Sequence, residues 1–163
     1  MTEQWAKVLF ELDPEYWPGP GAETLWAEPV AGSEWRRFRL MNSPFYARGV
    51  SYLDVVRATP VGDANVFQFE AVLERSGHST YMLIMQADEA RVNAYWNRLQ
   101  AMGCTYESTY EPWKGKELPL YSVDVPPSTD LQAVYDLLER GELDKVWVFQ
   151  EGHAHLPRST AGI

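Results

Sequence analysis

Ser76-Gly77-His78-Ser79-Thr80 is the peptide that divides this chain into two halves with different hydrophobic patterns. Before it, residues 66–75 alternate between apolar and polar side chains, which indicates a half-buried strand. After it, residues 80–86 are almost continuously apolar, which is typical of a strand covered on both faces. The Ser-Gly step suits a tight turn, because Gly adopts positive φ without steric cost. We therefore expect residues 76–80 to form the junction between two differently built halves.

The half before the junction has the pattern of a small β structure. Short runs of strand-forming residues alternate with Pro and Gly clusters, in which a strand cannot continue. The predicted strands are residues 5–12, 23–30, 35–40, 52–59 and 66–73, with a loop at 45–51. Short strands separated by frequent turns predict a small, strongly curved antiparallel sheet or barrel.

The half after the junction alternates strands with helices. Apolar residues at helical spacing predict one helix over residues 88–102, ended by Gly103, and another over residues 130–140, ended by Gly141. The predicted strands are residues 80–86, 104–110, 118–125 and 146–150, with a connecting loop at 111–116. The order strand, helix, strand, strand, helix, strand is that of a ferredoxin-like split βαβ unit.

Together these patterns predict an α+β protein in which a small curved antiparallel β subdomain packs on a ferredoxin-like βαββαβ subdomain. The expected boundaries are residues 1–78 for the first subdomain, 79–157 for the second and 158–163 for a tail. No linker of distinct composition separates the two subdomains, so we expect one compact unit.

The composition is that of an acidic globular protein. Of the 163 residues, 45% are hydrophobic and 23% charged, and 14 Lys and Arg stand against 23 Asp and Glu, which gives a net charge of −9. The acidic residues are spread through both halves, so the sequence offers no positive patch of the kind that binds nucleic acid. We therefore expect no nucleic-acid partner. Solubility accounts for the net charge, and attraction of a basic protein partner is the alternative interpretation.

Cysteine usage and hydropathy indicate a reducing compartment. The single cysteine, Cys104, excludes an intramolecular disulfide, and its position after a helix stop favours a buried thiol. The first residues lack the positive and apolar segments of a signal peptide, and no apolar run approaches the length of a membrane span. We expect a cytoplasmic protein without a membrane segment.

Several short motifs in the chain are similar to those of a bacterial family known only as a domain of unknown function. They are Lys7-Val8-Leu9-Phe10, Glu23-Thr24-Leu25-Trp26-Ala27, Asn42-Ser43-Pro44-Phe45, Gly49 with Asp54-Val55-Val56, and the 76–80 peptide. The resemblance spans most of the chain and is strongest between residues 7 and 85. It implies that a set of polar positions is shared for a structural or a functional reason. These positions are Asn42, Arg48, Asp54, Ser76, His78 and Thr80.

His78 is the first candidate for chemistry. If the junction folds toward the loop that contains Asp54, a serine such as Ser76, the histidine and a carboxylate can converge, as nucleophilic catalysis requires. The alternative is that His78 and the hydroxyls around it satisfy backbone groups of a tight turn. No Gly-x-Ser-x-Gly elbow supports the catalytic interpretation.

His153 and His155 are candidate metal ligands, because alternate residues of an extended segment point the same way. Two imidazoles do not complete a site, since a catalytic metal usually takes three protein ligands. The third would be His78 or an acidic residue from elsewhere. We expect a polar strand end rather than a metal site, and the sequence carries no cofactor fingerprint.

Candidate binding residues come from the shared polar positions and from two tryptophans. Asn42, Arg48, His78 and Thr80 belong to the first group. Trp17 and Trp113 lie in Pro- or Gly-flanked segments where burial is not assured, and so they are candidate contact anchors.

Small size, acidity and the lack of a cofactor fingerprint favour a non-enzymatic protein-binding protein, with an immunity-type inhibitor of a basic toxin domain as its specific form. The alternative is a small hydrolase or transferase that uses His78 with Ser76 or Asp54 in the cleft between the subdomains. A small-molecule-sensing domain is a third hypothesis, for which the sequence specifies no ligand.

Overall fold

The protein is described by a computed structural model covering residues 5–13, 15, 19–32, 36–62 and 64–156. The described residues form nine strands and two helices, so the predicted α+β class is confirmed. The strands are β1 (Ala6–Glu11), β2 (Ala22–Pro29), β3 (Arg37–Leu40), β4 (Val55–Pro60), β5 (Val66–Glu74), β6 (Ser79–Met85), β7 (Thr105–Trp113), β8 (Lys116–Val125) and β9 (Trp147–His153). The helices are α1 (Glu89–Ala101) and α2 (Leu131–Leu143).

The first five strands close into a barrel in the order β1-β2-β3-β4-β5. Neighbours along the chain pair antiparallel, but β1 and β5 pair parallel, with Lys7 opposite Val66. In a meander with an odd number of strands the first and last run the same way, so the closing pair must be parallel. The expectation of an entirely antiparallel sheet is wrong at this pair. The inward side chains form an apolar core that includes Val8, Phe10, Leu25, Phe38, Leu40 and Val56.

The last four strands form an antiparallel sheet in the order β7-β8-β6-β9, with α1 and α2 covering one face. The core under the helices includes Tyr81, Leu83, Trp96, Leu99, Leu138 and Trp147. Every residue of β6 is buried, as its continuous apolar run predicts. Both helices begin where aspartate caps them, because Asp88 accepts the N–H of Arg91 and Asp130 accepts the N–H of Ala133.

The other face of the sheet packs on the segment that joins β3 to β4, residues 41–54, which we call the bridging segment. Met82, Ile84 and Leu120 lie in a buried cluster on this face, and Phe45 and Tyr46 of the bridging segment pack against them. The bridging segment therefore attaches the barrel to the sheet, and it covers the central strands β6 and β8 on the face opposite the helices.

In the second half of the chain, two predicted boundaries are wrong for identifiable reasons. Helix α2 continues past Gly141 to Leu143, and glycine is required there because a Cβ atom would lie 2.6 Å from Nε1 of Trp147. Residues 111–116 are not a loop, since β7 and β8 pair out to Trp113 and Lys116. The turn between them is Lys114-Gly115, with φ of 48° and 81°, which matches the positive φ values of a two-residue hairpin turn.

Strand β4 starts at Val55 rather than at Tyr52, because Leu53 has a φ of 69° and cannot lie in a strand. Cys104 is buried, as predicted. Neither described helix is long and apolar enough to cross a membrane.

Candidate functional site

The junction peptide 76–80 is held by hydrogen bonds to the bridging segment. The Ser76 N–H donates to Oδ1 of Asp54 at 2.8 Å, and the Ser76 hydroxyl donates to the carbonyl of Tyr52 at 2.7 Å. The same hydroxyl accepts the N–H of His78 at 3.1 Å. Gly77 allows this turn through its φ of 94°. The Ser76 hydroxyl is thus bonded to two main-chain groups, and the structure brings it to the backbone of His78 rather than to the imidazole.

Asp54 is fully buried at the centre of the same network. Its Oδ2 atom accepts the Ser51 N–H at 2.9 Å and the guanidinium of Arg75 at 3.2 Å, while Oδ1 accepts the Ser76 N–H. Thr80, also fully buried, donates its hydroxyl to that of Ser51 at 2.8 Å. These bonds assign Asp54 and Thr80 to the connection between the bridging segment and the junction.

His78 pairs with a different carboxylate, that of Asp124 on β8. Nδ1 of His78 lies 2.8 Å from Oδ1 and 3.0 Å from Oδ2 of Asp124, and the two side chains are only 15% and 13% exposed. The ring of Tyr52 stands edge-on to the imidazole at 5.3 Å between centroids. Burial raises the pKa of Asp124, and the adjacent His78 opposes that rise.

Sequence reasoning missed Asp124, which lies 46 residues from His78 in the chain. The signal was present, because Asp124 is a charged residue between Val123 and Val125, and both of these valines are buried. A carboxylate in such a position is normally paired.

The C-terminal histidines lie beside the junction. His155 donates its N–H to the hydroxyl of Ser79 at 2.8 Å, and its ring centroid is 6.3 Å from that of His153. Across the described ranges, no group of three or more His, Cys, Asp or Glu side chains is placed to hold a metal ion. Nε2 of His153 is buried without a hydrogen-bond partner among the described residues, and burial lowers the pKa of this imidazole.

The remaining predicted binding residues lie apart from one another. Asn42 accepts the N–H of Trp26 at 2.9 Å and so ties the bridging segment to β2. Arg48 is exposed and lines a 520 Å³ cleft between the barrel and Gly152. Trp113 is half-buried against the apolar cluster under the bridging segment. Trp17 lies outside the described residues.

A small cavity opens where the bridging segment meets β7 and β8. It has a volume of about 290 Å³ and is lined by Met41, Ser43, Tyr52, Thr105, Tyr106, Glu107, Ser122 and Asp124. The hydroxyl of Ser122 donates to the carbonyl of Pro44 at 2.6 Å. The hydroxyl of Ser43 is buried and has no hydrogen-bond partner among the described residues. The His78–Asp124 pair therefore presents its carboxylate to a polar cavity.

Strand β7 forms an exposed edge of the sheet, and its free backbone positions can be identified from two prolines. Pro112 lies opposite Glu117, and Pro119 lies opposite Tyr110. Proline has no N–H, so these pairs occupy the non-bonded positions of the β7–β8 ladder. Because the ladder alternates, Tyr106, Ser108 and Tyr110 point their N–H and C=O groups away from β8.

The side chains along this edge are also exposed. The exposed fraction is 68% for Tyr110 and 42% for Tyr106. Tyr106 stacks on Tyr121 with centroids 4.1 Å apart and meets the edge of Trp96 at 4.6 Å. The edge thus combines free backbone groups with a fixed aromatic surface.

A model of the family described as Domain of unknown function (DUF4265) matches residues 23–149. The chain belongs to this family. The matched range of the DUF4265 protein runs from β2 into β9 and contains the bridging segment, the junction and the cavity. The resemblance to an uncharacterised family is confirmed, and the family description names no activity.

One solved structure resembles the DUF4265 protein over nearly its whole length. It is described as "Novel crystal structure of a hypothetical protein from Neisseria gonorrhoeae", with 15% sequence identity and a TM-score of 0.69. The alignment covers 96% of this chain and 99% of that one. At this identity the likeness shows the shared fold alone. No curated protein matches the sequence.

Proposed function

We propose that this DUF4265 protein is a non-enzymatic protein-binding protein, and specifically an immunity-type inhibitor that binds a basic toxin domain. The observation that carries the proposal is the exposed edge of β7, a strand of nine residues. A partner strand adds to such an edge through main-chain hydrogen bonds, while side chains beside it provide specificity. Tyr106, Ser108 and Tyr110 supply the outward backbone groups.

The tyrosines give this edge the character of a binding surface. Exposed aromatic side chains are frequent anchors in protein interfaces, because they bury a large area at low cost in conformational entropy. Tyr110 is free to turn toward a partner, whereas Tyr106 is held by its stack on Tyr121. The edge therefore offers a partner one exposed ring and one ring that is already fixed in place.

Net charge supports a basic partner. At −9 the protein attracts a positively charged domain from a distance, which raises the association rate and makes it sensitive to salt. A cytoplasmic location belongs to the same proposal, because an immunity protein meets its toxin there and because Cys104 stands as an unpaired thiol.

The proposal also includes a ferredoxin-like assignment for the second half of the chain. Helix α1 joins β6 to β7 with β8 lying between them, and helix α2 joins β8 to β9 with β6 between them. Two interleaved βαβ units of this kind define the ferredoxin-like arrangement. In that arrangement β7 is an edge strand, as the proposed docking site requires.

The deciding experiment compares three forms of the tagged chain in the native host. Ser108→Pro removes the central outward N–H of β7 without touching the β7–β8 ladder, and Ser108→Ala is the matched control that keeps it. After crosslinking in the cell and purification, we expect to recover a basic protein with the unaltered chain and with Ser108→Ala. We expect that protein to be absent with Ser108→Pro.

A recovered partner is then co-expressed with and without the chain to measure whether its toxicity is neutralised. Recovery of no partner, or of the same partner with Ser108→Pro, would refute docking at β7. A partner whose association rate does not fall with added salt would refute the electrostatic part of the proposal.

A small hydrolase or transferase is the second candidate, favoured by the His78–Asp124 pair. A carboxylate on one ring nitrogen orients a histidine that acts as a general base. The Ser76 hydroxyl is bonded to main chain, so this candidate uses His78 on a bound substrate rather than on Ser76. It predicts a hydrolytic or transfer activity that His78→Gln abolishes and Ser76→Ala retains. Equal rates in both variants would exclude it.

A further inference from the structure

The cavity beside Asp124 has the size and lining of a binding site for a small polar molecule. Its volume of about 290 Å³ lies just below the range of about 300–1,000 Å³ that is usual for ligand pockets. The lining residues come from the bridging segment on one side and from β7 and β8 on the other. A ligand there would be compact and would contact both halves of the protein.

The charges in the cavity favour a cationic ligand. Two carboxylates, those of Asp124 and Glu107, line it, and none of the eight described lining residues is lysine or arginine. Ionised carboxylates only accept hydrogen bonds. His78 approaches Asp124 through one nitrogen, which leaves lone pairs on both carboxylate oxygens.

The hydroxyl of Ser43 is a separate observation that points to a ligand. This residue is 7% exposed, lines the cavity and has no hydrogen-bond partner among the described residues. A buried hydroxyl without a partner is unfavourable, because no hydrogen bond compensates for its removal from water. A ligand N–H group inside the cavity would satisfy it.

The strand register fixes how the two carboxylates are spaced. Thr105 lies opposite Asp124 and Glu107 lies opposite Ser122, so Asp124 and Glu107 are diagonal neighbours across the β7–β8 pair. Diagonal neighbours lie about 7–8 Å apart. That separation suits two positive groups joined by a short aliphatic chain. Tyr52 also lines the cavity, and its ring can contact such a chain or its ammonium groups.

We propose that this cavity binds a short aliphatic diamine, with one ammonium group on Asp124 and the Ser43 hydroxyl and the other on Glu107 at the cavity mouth. Recognition combines two charged contacts with the ring of Tyr52. The site shares strand β7 with the proposed docking edge through Glu107, but it lies on the sheet face that packs on the bridging segment, whereas docking uses the outward backbone groups of Tyr106, Ser108 and Tyr110.

Isothermal titration calorimetry of the full chain with putrescine tests this proposal. Two probes of the same chain length serve as matched ligands, 1-butylamine with one charge and 1,4-butanediol with none. We expect putrescine to bind more tightly than 1-butylamine and 1,4-butanediol not to bind.

Three variants distinguish binding of putrescine in the cavity from its general attraction to an acidic protein. Ser43→Ala should weaken putrescine binding about tenfold, because it removes a hydrogen bond to a charged group. Glu107→Gln should weaken putrescine about fivefold and 1-butylamine less, because a partly exposed ion pair contributes up to about 1 kcal/mol. Glu117→Gln makes the same charge change outside the cavity and should leave the affinity unchanged.

Ser43→Ala should fold normally, since no described group hydrogen-bonds to that hydroxyl, and circular dichroism checks this. No heat with putrescine at millimolar concentration would overturn the proposal and indicate that the cavity holds water alone. Equal weakening by Glu117→Gln and Glu107→Gln, or no effect of Ser43→Ala, would overturn it by showing that putrescine binds elsewhere.

Discussion

Replacement of Asp54 by alanine should destabilise the protein by about 3–6 kcal/mol, because this buried carboxylate joins the barrel to the sheet. Asp54 accepts the N–H groups of Ser51 and Ser76. Each hydrogen bond to a charged group contributes about 1.5–3 kcal/mol, and truncation leaves both buried donors unpaired. Arg75 is 38% exposed, so water replaces much of its contact and we add nothing for it.

Asp54→Asn should cost about half as much, about 1.5–3 kcal/mol, since the amide oxygen still accepts one N–H while the amide nitrogen faces the other donor. Urea unfolding followed by tryptophan fluorescence and circular dichroism measures both values, with the m value as a check on two-state behaviour. For a chain of this size, Asp54→Ala should lower Tm by at least about 6 °C.

Asp136→Ala is the matched control, because Asp136 is exposed on α2 and bonds to the Gln132 amide. Its effect should stay within about 0.5 kcal/mol. A loss below about 1 kcal/mol for Asp54→Ala would show that the bonds around Asp54 are not essential to the attachment of the two halves.

Three further predictions concern Gly141, His153 and Cys104. Gly141→Ala should destabilise by about 1–3 kcal/mol in thermal unfolding, although alanine favours helix, because its Cβ would overlap the Trp147 ring; a stabilised variant would contradict this packing. Burial lowers the pKa of His153, so the unfolded chain binds a proton at this imidazole more readily than the folded protein, and stability should fall as the pH drops below about 6.5. Between pH 7.5 and 5, the urea midpoint of His153→Gln should fall less than that of the unaltered protein. An equal fall in both would show that His153 is not the cause. Burial raises the pKa of Cys104 to about 12, so the native thiol should not react with a disulfide reagent at pH 8 and should react fully in urea; rapid reaction of the native protein would show that it is accessible.

Local sequence patterns predict the elements of this fold well. The apolar run of β6 indicates a strand buried on both faces, and Asp88 and Asp130 mark both helix starts. These features depend on a few consecutive residues, which is why a single sequence reveals them. The end of α2 is harder to predict, because glycine is needed at position 141 for the close contact with Trp147 and does not end the helix.

The site depends on contacts between distant residues, and the sequence predicts it less well. His78 and Asp54 come to the same junction, yet the carboxylate on the imidazole belongs to Asp124. The strand register that places Asp124 opposite Thr80 decides this, and no local pattern encodes that register. The cavity follows from the same register, since it aligns Asp124 and Glu107 under Ser43.

The bridging segment limits how this gene can be divided. A fragment beginning at residue 79 would leave Met82, Ile84 and Leu120 facing water, because Phe45 and Tyr46 would be missing. The complementary fragment, residues 1–78, would keep the bond from the Ser76 N–H to Asp54. It would still lose the sheet on which the bridging segment packs. Expression of the halves from separate plasmids should therefore give soluble protein only when both are present in one cell. Fragment complementation, rather than truncation, is the suitable genetic tool for this protein.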